Sequence, residues 1–445
     1  MRPSTGDRAL VMATWVFVVG NAVLLTIGSL ALAYGPTWYR TTVLAATGAL
    51  PITLSGAEEL VWLVLLLGCP VILIVSLHLG ARLARGSGRV QSPERGSTPI
   101  CYAVLALLFS IDPLWRANTR LLGTLVSFGD FDQWKQQRWE LFEFLTFPEF
   151  VIVYSLIPIL AIATVIAAVV RVRGGARFPW LTVCLVMGLL LTVDVLLAMK
   201  KQLVLHLAML SVAMWQIGAV SWRFLATSMV SVVVSFVVLV YLSGSAAAPL
   251  SEGAEGGAAT PLTDSAPSSW QTLVDSLPEP GSSLQFWIHS LTSRSALPSI
   301  YYVYAFPDEV PHTGINVPYI GTSTGQFHNI AINDVMYPGQ QGTSYSGWAF
   351  AFYAEAGLWW AVIGTAVLGL GIGVTWSLCG CTLTAERRQL AWLLLVSFLL
   401  LLNTDDWVNN AVSSYGIVYP LMLLMVLELL CGRRPDVVRV PPSAA

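Results

Sequence analysis

The chain has 445 residues, 56% of them apolar and only 11% charged, with a mean hydropathy of +0.70 and a formal net charge of −2. An average soluble domain carries about 25% charged residues, so a soluble globular enzyme is excluded and an integral membrane protein is implied. Several runs of roughly 20 apolar residues recur, the length that crosses a bilayer core as a helix.

In chain order, the apolar runs predict ten membrane spans, at about 10–34, 59–81, 98–112, 148–170, 179–199, 202–220, 224–243, 347–378, 390–403 and 413–431. The first run is too long for a signal peptide and lacks a cleavage site, so it reads as a retained helix. Basic residues fall on alternate segments: Arg82, Arg85, Arg89 and Arg95, then Arg171, Arg173 and Arg177, then Arg387 and Arg388, then Arg433, Arg434 and Arg439. Such a bias places those segments on the cytoplasmic side, with both termini inside. The expected fold is an all-α polytopic bundle. Transmembrane helices 1–7 would occupy 1–243 and helices 8–10 would occupy 347–431, with a cytoplasmic tail at 432–445.

Two outer segments are large. Residues 113–147 interleave Trp115, Trp134, Trp139 and Phe142 with Arg116, Arg120, Lys135 and Arg138, a mixture suited to an amphipathic segment at headgroup level. The loop 244–346 divides in two. Residues 244–283 are rich in Ser, Gly, Ala and Pro and read as a flexible insert. Residues 284–346 read as an ordered outer loop: an apolar run with helical spacing, broken at Pro298, then a stretch punctuated by proline and glycine.

Residues that could carry chemistry gather on the outer side. All three lysines lie there, against the positive-inside trend. Lys200 and Lys201 join two apolar stretches with almost no polar loop, so they are either snorkelling lysines at a tight hairpin or a phosphate site at the membrane surface. Arg294 is the one basic residue of the 244–346 loop. It either tethers the loop or offers its guanidinium fork to a phosphate, and the second reading is preferred because few other groups there compete for an anion. The polar stretch GQFHNIAINDVMYP contains His328, Asn329, Asn333, Asp334 and Tyr337 and leads on to Tyr345. An imidazole there suits proton abstraction from a hydroxyl, with Asn329 and Asp334 fixing its tautomer. His289 and His312 have fewer polar neighbours in sequence and rank below His328, while His78 and His206 lie on apolar helices. Glu355 falls early in the eighth span, where a carboxylate faces the bundle interior or a cavity and could act as base or pair with a cation. Asp194, Asp405 and Asp406 lie at outer helix ends. Asp130-Phe-Asp132 has the acidic spacing of metal-using sugar transferases but no partner acid nearby. No Walker loop, dinucleotide glycine pattern, zinc spacing or serine-hydrolase elbow is present.

Three patterns together carry a resemblance: AMKKQLVLHLAML, SRSALPSIYYVYAFP, and HNIAINDVMYPGQQGTSYSGWAFAFYAEAGLWWAVIG. With the span count and the large late loop, they make residues 180–430 resemble the Wzy-type oligosaccharide repeat-unit polymerases, relatives of the O-antigen ligases, with a GT-C-like bundle. The Ser/Gly/Ala-rich insert, and Lys-Lys where relatives often have arginine, depart from that pattern. The resemblance implies a multi-pass protein of a bacterial cytoplasmic membrane with its active site on the extracytoplasmic face. Its partners would be an undecaprenyl-diphosphate-linked glycan donor, a second lipid-linked repeat unit as acceptor and a chain-length regulator, with no metal, cofactor or nucleic acid. Lys200, Lys201 and Arg294 would hold the departing diphosphate, His328 or Glu355 would take the acceptor proton, and the sugar would invert. Trp287, Tyr301, Tyr302, Tyr304 and Tyr337 would either stack on sugars or pack the loop. A metal-dependent polyprenyl-phosphate-sugar transferase and a lipid-linked sugar flippase are the rival readings.

Overall fold

The computed structural model describes residues 5–47, 49–84, 99–126, 146–173, 175–196, 296–316, 327–338, 344–403 and 417–431, with isolated positions between 210 and 227. Regular structure among the described residues is helical. Four helical stretches, the last of them broken at Ala356–Gly357, are long and apolar enough to span a bilayer: Ala9–Tyr34, Gly56–Ala84, Ile152–Val172 and Trp348–Thr382. Shorter apolar helices cover Pro99–Pro113, Trp180–Val193 and Val418–Leu429. The architecture is therefore that of an all-α membrane protein. The expected spans at 202–220 and 224–243, the insert 244–283 and the tail 432–445 lie outside the described residues. The third expected span does not stop at 112. Its helix runs on from Pro99 to Val126, through Pro113, so the segment expected to start an outer amphipathic stretch begins as helix.

The chain forms two compact units. One comprises residues 85–245, 376–395 and 416–445. Its helices Pro99–Val126, Ile157–Arg173 and Trp180–Leu196 pack on one another through Tyr102, Ala106, Ile159, Ala163, Ile166 and Val193. Leu390, Leu394, Leu424 and Leu427 belong to the same core. A buried ion pair closes it: Arg387 Nη1 donates to Glu428 Oε2 at 3.0 Å, and Arg387 Nε donates to the Tyr102 hydroxyl at 3.3 Å. Glu428 Oε2 also accepts the Thr384 amide at 3.1 Å.

The other unit comprises residues 1–84, 246–375 and 396–415. Its first two spans each contain a π-helical turn, Ala22–Thr26 and Val64–Gly68, and the two turns pack against each other. A capping box starts the second span, with the Ser55 amide donating to Glu58 at 2.5 Å and the Glu58 amide to Ser55 Oγ at 3.4 Å. The second span meets the helix that follows residue 357 through glycine. A Cβ on Gly369 would lie 2.7 Å from the Leu73 carbonyl, and one on Gly373 would run into the Leu77 carbonyl and lie 2.7 Å from the Ala81 amide, whereas one on Gly371 meets nothing within 4 Å. This is backbone-to-backbone contact of the kind small residues permit between apolar helices. Gly373→Ala is accordingly expected to cost about 1–3 kcal/mol by forcing the helices apart. Gly371→Ala, on the open side of the same helix, should be neutral or stabilising by about 0.5–1 kcal/mol from helix propensity. Unfolding midpoints in detergent would compare the two, and equal shifts would refute the close-contact account.

Elements of the late loop are embedded among these spans. Residues 296–305 are helical, and Pro298 lies within this stretch. Ala296, Leu297, Ser299, Ile300, Tyr301, Tyr302 and Val303 are all buried. Ser299 Oγ meets Ser29 Oγ at 3.2 Å and accepts from Trp62 Nε1 at 3.2 Å, so this helix lies level with residues inside both spans. The polar stretch beginning at Gly325, read as loop, contains a nine-residue helix, His328–Met336.

The largest departure concerns the eighth span. A straight 35-residue helix would be about 50 Å long, well beyond the ~30 Å apolar core of a bilayer. Helical geometry instead fails at Ala356 (φ −155°, ψ 26°) and Gly357 (φ 82°, ψ −175°). The chain then folds back on itself. Trp348 Nε1 donates to Thr365 Oγ1 at 3.2 Å, although these residues would be about 25 Å apart in an unbroken helix. The Phe352 ring packs edge-on to Trp360 with centroids 5.9 Å apart, and a Cβ on Gly364 would sit 3.2 Å from the Phe352 ring. Residues 348–355 thus form a short helix antiparallel to the long one that follows. The short arm is buried along its whole length. Its first turn is held by the Trp348 amide, which donates to the Leu402 carbonyl at 3.0 Å, and by the Trp348 ring against Phe17 at 5.5 Å.

Candidate active site

The reversal at 356–357 builds the most chemically loaded place among the described residues. A helix ending at Glu355 leaves its last carbonyls without intrahelical partners. The segment 312–314 supplies them. The Thr313 amide donates to the Ala354 carbonyl at 3.1 Å and the Gly314 amide donates to the Glu355 carbonyl at 2.9 Å. His312 Nδ1 bonds the same Ala354 carbonyl at 3.2 Å, filling its second lone pair. Gly357 holds a positive φ that side chains with a Cβ rarely adopt, which is why glycine stands at the turn.

Glu355 lies beneath this segment, 1% exposed. Its Oε2 accepts from Trp360 Nε1 at 2.9 Å, and its carboxylate also accepts from the Asn316 amide. One donor comes from the long arm of the hairpin and the other from the covering segment, so the carboxylate ties the two together. Ala356 is exposed and Gly357 and His312 are half-buried, so the site opens at the turn. His312 lies flat against Phe306, with centroids 6.1 Å apart and 6° between planes, and edge-on to Tyr353 at 5.9 Å. The Tyr353 hydroxyl donates to the Phe306 carbonyl at 2.8 Å.

His328 occupies a second polar cluster. Its Nδ1 is 2.7 Å from the Tyr302 hydroxyl, which lies 3.3 Å from the Ser344 carbonyl. One proton arrangement satisfies both contacts: Nδ1–H donates to Tyr302, and the Tyr302 hydroxyl donates to Ser344. Ser344 is fixed in turn, its amide donating to the Asn329 carbonyl at 2.9 Å and its hydroxyl to Asn333 Oδ1 at 3.2 Å. Asn329 therefore supports the cluster through its backbone, while its Oδ1 accepts from the Ile330 amide at 3.0 Å. Asp334 is exposed on the same helix, and the Nδ1 partner expected of it is Tyr302, which 26 residues of sequence separation concealed.

Burial also bears on the expectation that His328 takes the acceptor proton. The ring is 1% exposed, and burial holds its pKa down to about 4. A neutral, enclosed imidazole fits an anchor for Tyr302 and Ser344 better than a base in contact with a sugar. The folded ring releases its proton more readily than the unfolded one, whose value is 6.5. Its contribution to stability is therefore complete above about pH 6.5 and declines as pH falls towards 4, by roughly 3 kcal/mol at the low end. His328→Asn is expected to flatten that part of the midpoint-against-pH profile. A profile unchanged by the substitution would refute the assignment.

The other expected site residues fall as follows. Tyr301 and Tyr302 are buried, so they pack rather than stack on a sugar. The Tyr301 hydroxyl donates to the Leu50 carbonyl, and burial raises its pKa. Tyr304, Tyr337 and Tyr345 are half-buried, and the Tyr337 amide closes the His328–Met336 helix on the Asn333 carbonyl at 2.8 Å. Lys200, Lys201, Arg294, Trp287, Asp130, Asp132, Asp405 and Asp406 lie outside the described residues. Among the described residues no group of three His, Cys, Asp or Glu is placed to hold a metal ion.

No family model, no curated protein and no solved structure matches the chain.

Proposed function

We propose that the protein is a membrane glycosyltransferase of the oligosaccharide repeat-unit polymerase kind. In this reading ten spans, with both termini inside, set the active site on the extracytoplasmic face of a bacterial cytoplasmic membrane. The observation that carries it is the buried carboxylate of Glu355 at the reversal of the 348–382 hairpin, under a capping segment that leaves the turn open. An ionisable group buried among apolar spans is costly and marks function by default. Lys200, Lys201 and Arg294 would bind the donor's diphosphate and neutralise the charge that grows as it departs. The acceptor hydroxyl of a second lipid-linked repeat unit would attack from the opposite face of the sugar, inverting the anomeric carbon. Glu355 would hold the covering segment in register with the long helix and stabilise positive charge developing on the sugar ring.

Purified protein in vesicles, given an undecaprenyl-diphosphate-linked repeat unit, is expected to produce a ladder of polymer lengths that persists when divalent cations are chelated. A ladder abolished by chelator would favour the metal-dependent transferase using Asp130 and Asp132. A broken helix with a buried carboxylate is also how transporters build ion and substrate sites, and this favours a lipid-linked sugar flippase as the second reading. Movement of labelled donor across the vesicle bilayer without any ladder would establish that reading and overturn ours.

A further inference from the structure

We infer that His312 is the general base that takes the proton from the acceptor hydroxyl. The inference rests on the polymerase reading and names the residue that performs its proton transfer.

Three observations converge on this ring. The first is its tautomer. A carbonyl oxygen only accepts, so the 3.2 Å contact between His312 Nδ1 and the Ala354 carbonyl places the proton on Nδ1. In the neutral ring the lone pair is then on Nε2, the arrangement by which a backbone carbonyl orients an imidazole for proton abstraction. The second is direction. Nε2 faces the reversal of the hairpin, where it would stand 3.4 Å from a Cβ on residue 357. Ala356 at that reversal is exposed, so this edge of the ring is turned toward the open turn. The third is access. His312 is half-buried, whereas His328 and Glu355 are each 1% exposed. Of these three groups, His312 alone has surface to offer a sugar.

The ring is held rigidly for this task. Phe306 lies parallel to it and Tyr353 meets it edge-on. Packing alone accounts for those two contacts, but it does not require a fixed tautomer or an Nε2 turned toward the exposed turn. In the proposed step the acceptor oxygen forms its bond to the anomeric carbon of the donor. The bond from that carbon to the diphosphate oxygen breaks, and the diphosphate leaves with the electron pair. The hydroxyl proton passes to Nε2, and the resulting imidazolium returns it to solvent before the next turnover.

Two substitutions separate this role from a structural one. His312→Asn places an amide N–H near the position of Nδ1, so it keeps the bond to Ala354. His312→Phe keeps the ring stack on Phe306. Neither has a lone pair at the Nε2 position. In vesicles of phosphatidylethanolamine and phosphatidylglycerol supplied with undecaprenyl-diphosphate-linked repeat unit, each folded variant is expected to lose about 100- to 10,000-fold in kcat. The donor KM and the unfolding midpoint should stay near wild type. Where one variant fails to fold, the other decides. A wild-type kcat in either folded variant, or a loss confined to KM, overturns the inference while leaving the polymerase reading intact. Absence of polymer from the wild-type protein overturns the polymerase reading and this inference with it.

Discussion

Glu355→Gln is expected to lower polymer turnover about 100-fold or more, the scale seen when one preorganised electrostatic partner is removed from a reacting centre. The substitution preserves volume and one acceptor oxygen, so the hairpin should still form. It replaces the other oxygen with an amide donor. The carboxylate accepts from both Trp360 Nε1 and the Asn316 amide, and the glutamine loses acceptor capacity in a place where water has little access. Glu355→Ala goes further, leaving both buried N–H groups without the acceptor, at about 1–3 kcal/mol for each. Turnover should therefore fall in both variants, while the unfolding midpoint falls clearly only in the alanine variant. The backbone bonds from Thr313 and Gly314 to the end of the short helix are untouched by either change, and they hold the turn. Full turnover in a stable Glu355→Gln protein would remove Glu355 from the mechanism.

Much of the helical organisation was legible from hydropathy. Runs near 10–34, 59–81 and 148–170 correspond to Ala9–Tyr34, Gly56–Ala84 and Ile152–Val172, because an apolar stretch of bilayer length has few other stable fates. Glu355 and His328 stood out as polar groups in apolar surroundings, and both are buried within hydrogen-bond networks. The reversal at Gly357 was not read, although two signals were available: 35 residues exceed a span, and glycine follows the one carboxylate of the run. Hydropathy is blind to direction. Residues 348–355 are as apolar folded back on the long helix as they would be continuing it. His312 ranked low for a related reason. Its sequence neighbours are Pro311 and Thr313; Phe306 comes from the end of the preceding helix, and Tyr353 and Ala354 arrive through the hairpin. Sequence left Tyr302 between stacking on a sugar and packing the loop, because an aromatic residue in an outer loop suits either. Insertion of 296–305 beside Ser29 and Trp62 turned it into a core residue bonded to His328.

Removing the carboxylate of Glu428 is expected to produce one of the largest losses of stability, about 3–5 kcal/mol, because it takes the carboxylate from a buried cation. The Arg387 side chain is 3% exposed and that of Glu428 is 18% exposed. Three donors converge in this network: Arg387 Nη1 and the Thr384 amide on Glu428, and Arg387 Nε on the Tyr102 hydroxyl. Glu428→Ala leaves the guanidinium with Tyr102 as its one remaining partner among these and removes the acceptor for Thr384. The neighbouring residue reinforces the same helix start, since Arg388 lies over the Trp392 ring at 5.5 Å and its Nη1 donates to the Gly380 carbonyl at 3.3 Å. Desolvation of two charges offsets most of the attraction between them, so an apolar replacement of the whole pair should be far milder than loss of one member. Arg387→Met combined with Glu428→Leu is therefore expected to recover much of the stability that Glu428→Ala loses. A double-mutant cycle on unfolding midpoints in detergent measures the coupling. Strictly additive losses would show that the two side chains act separately, and the ion pair would then be an incidental contact rather than the clasp of this helical unit.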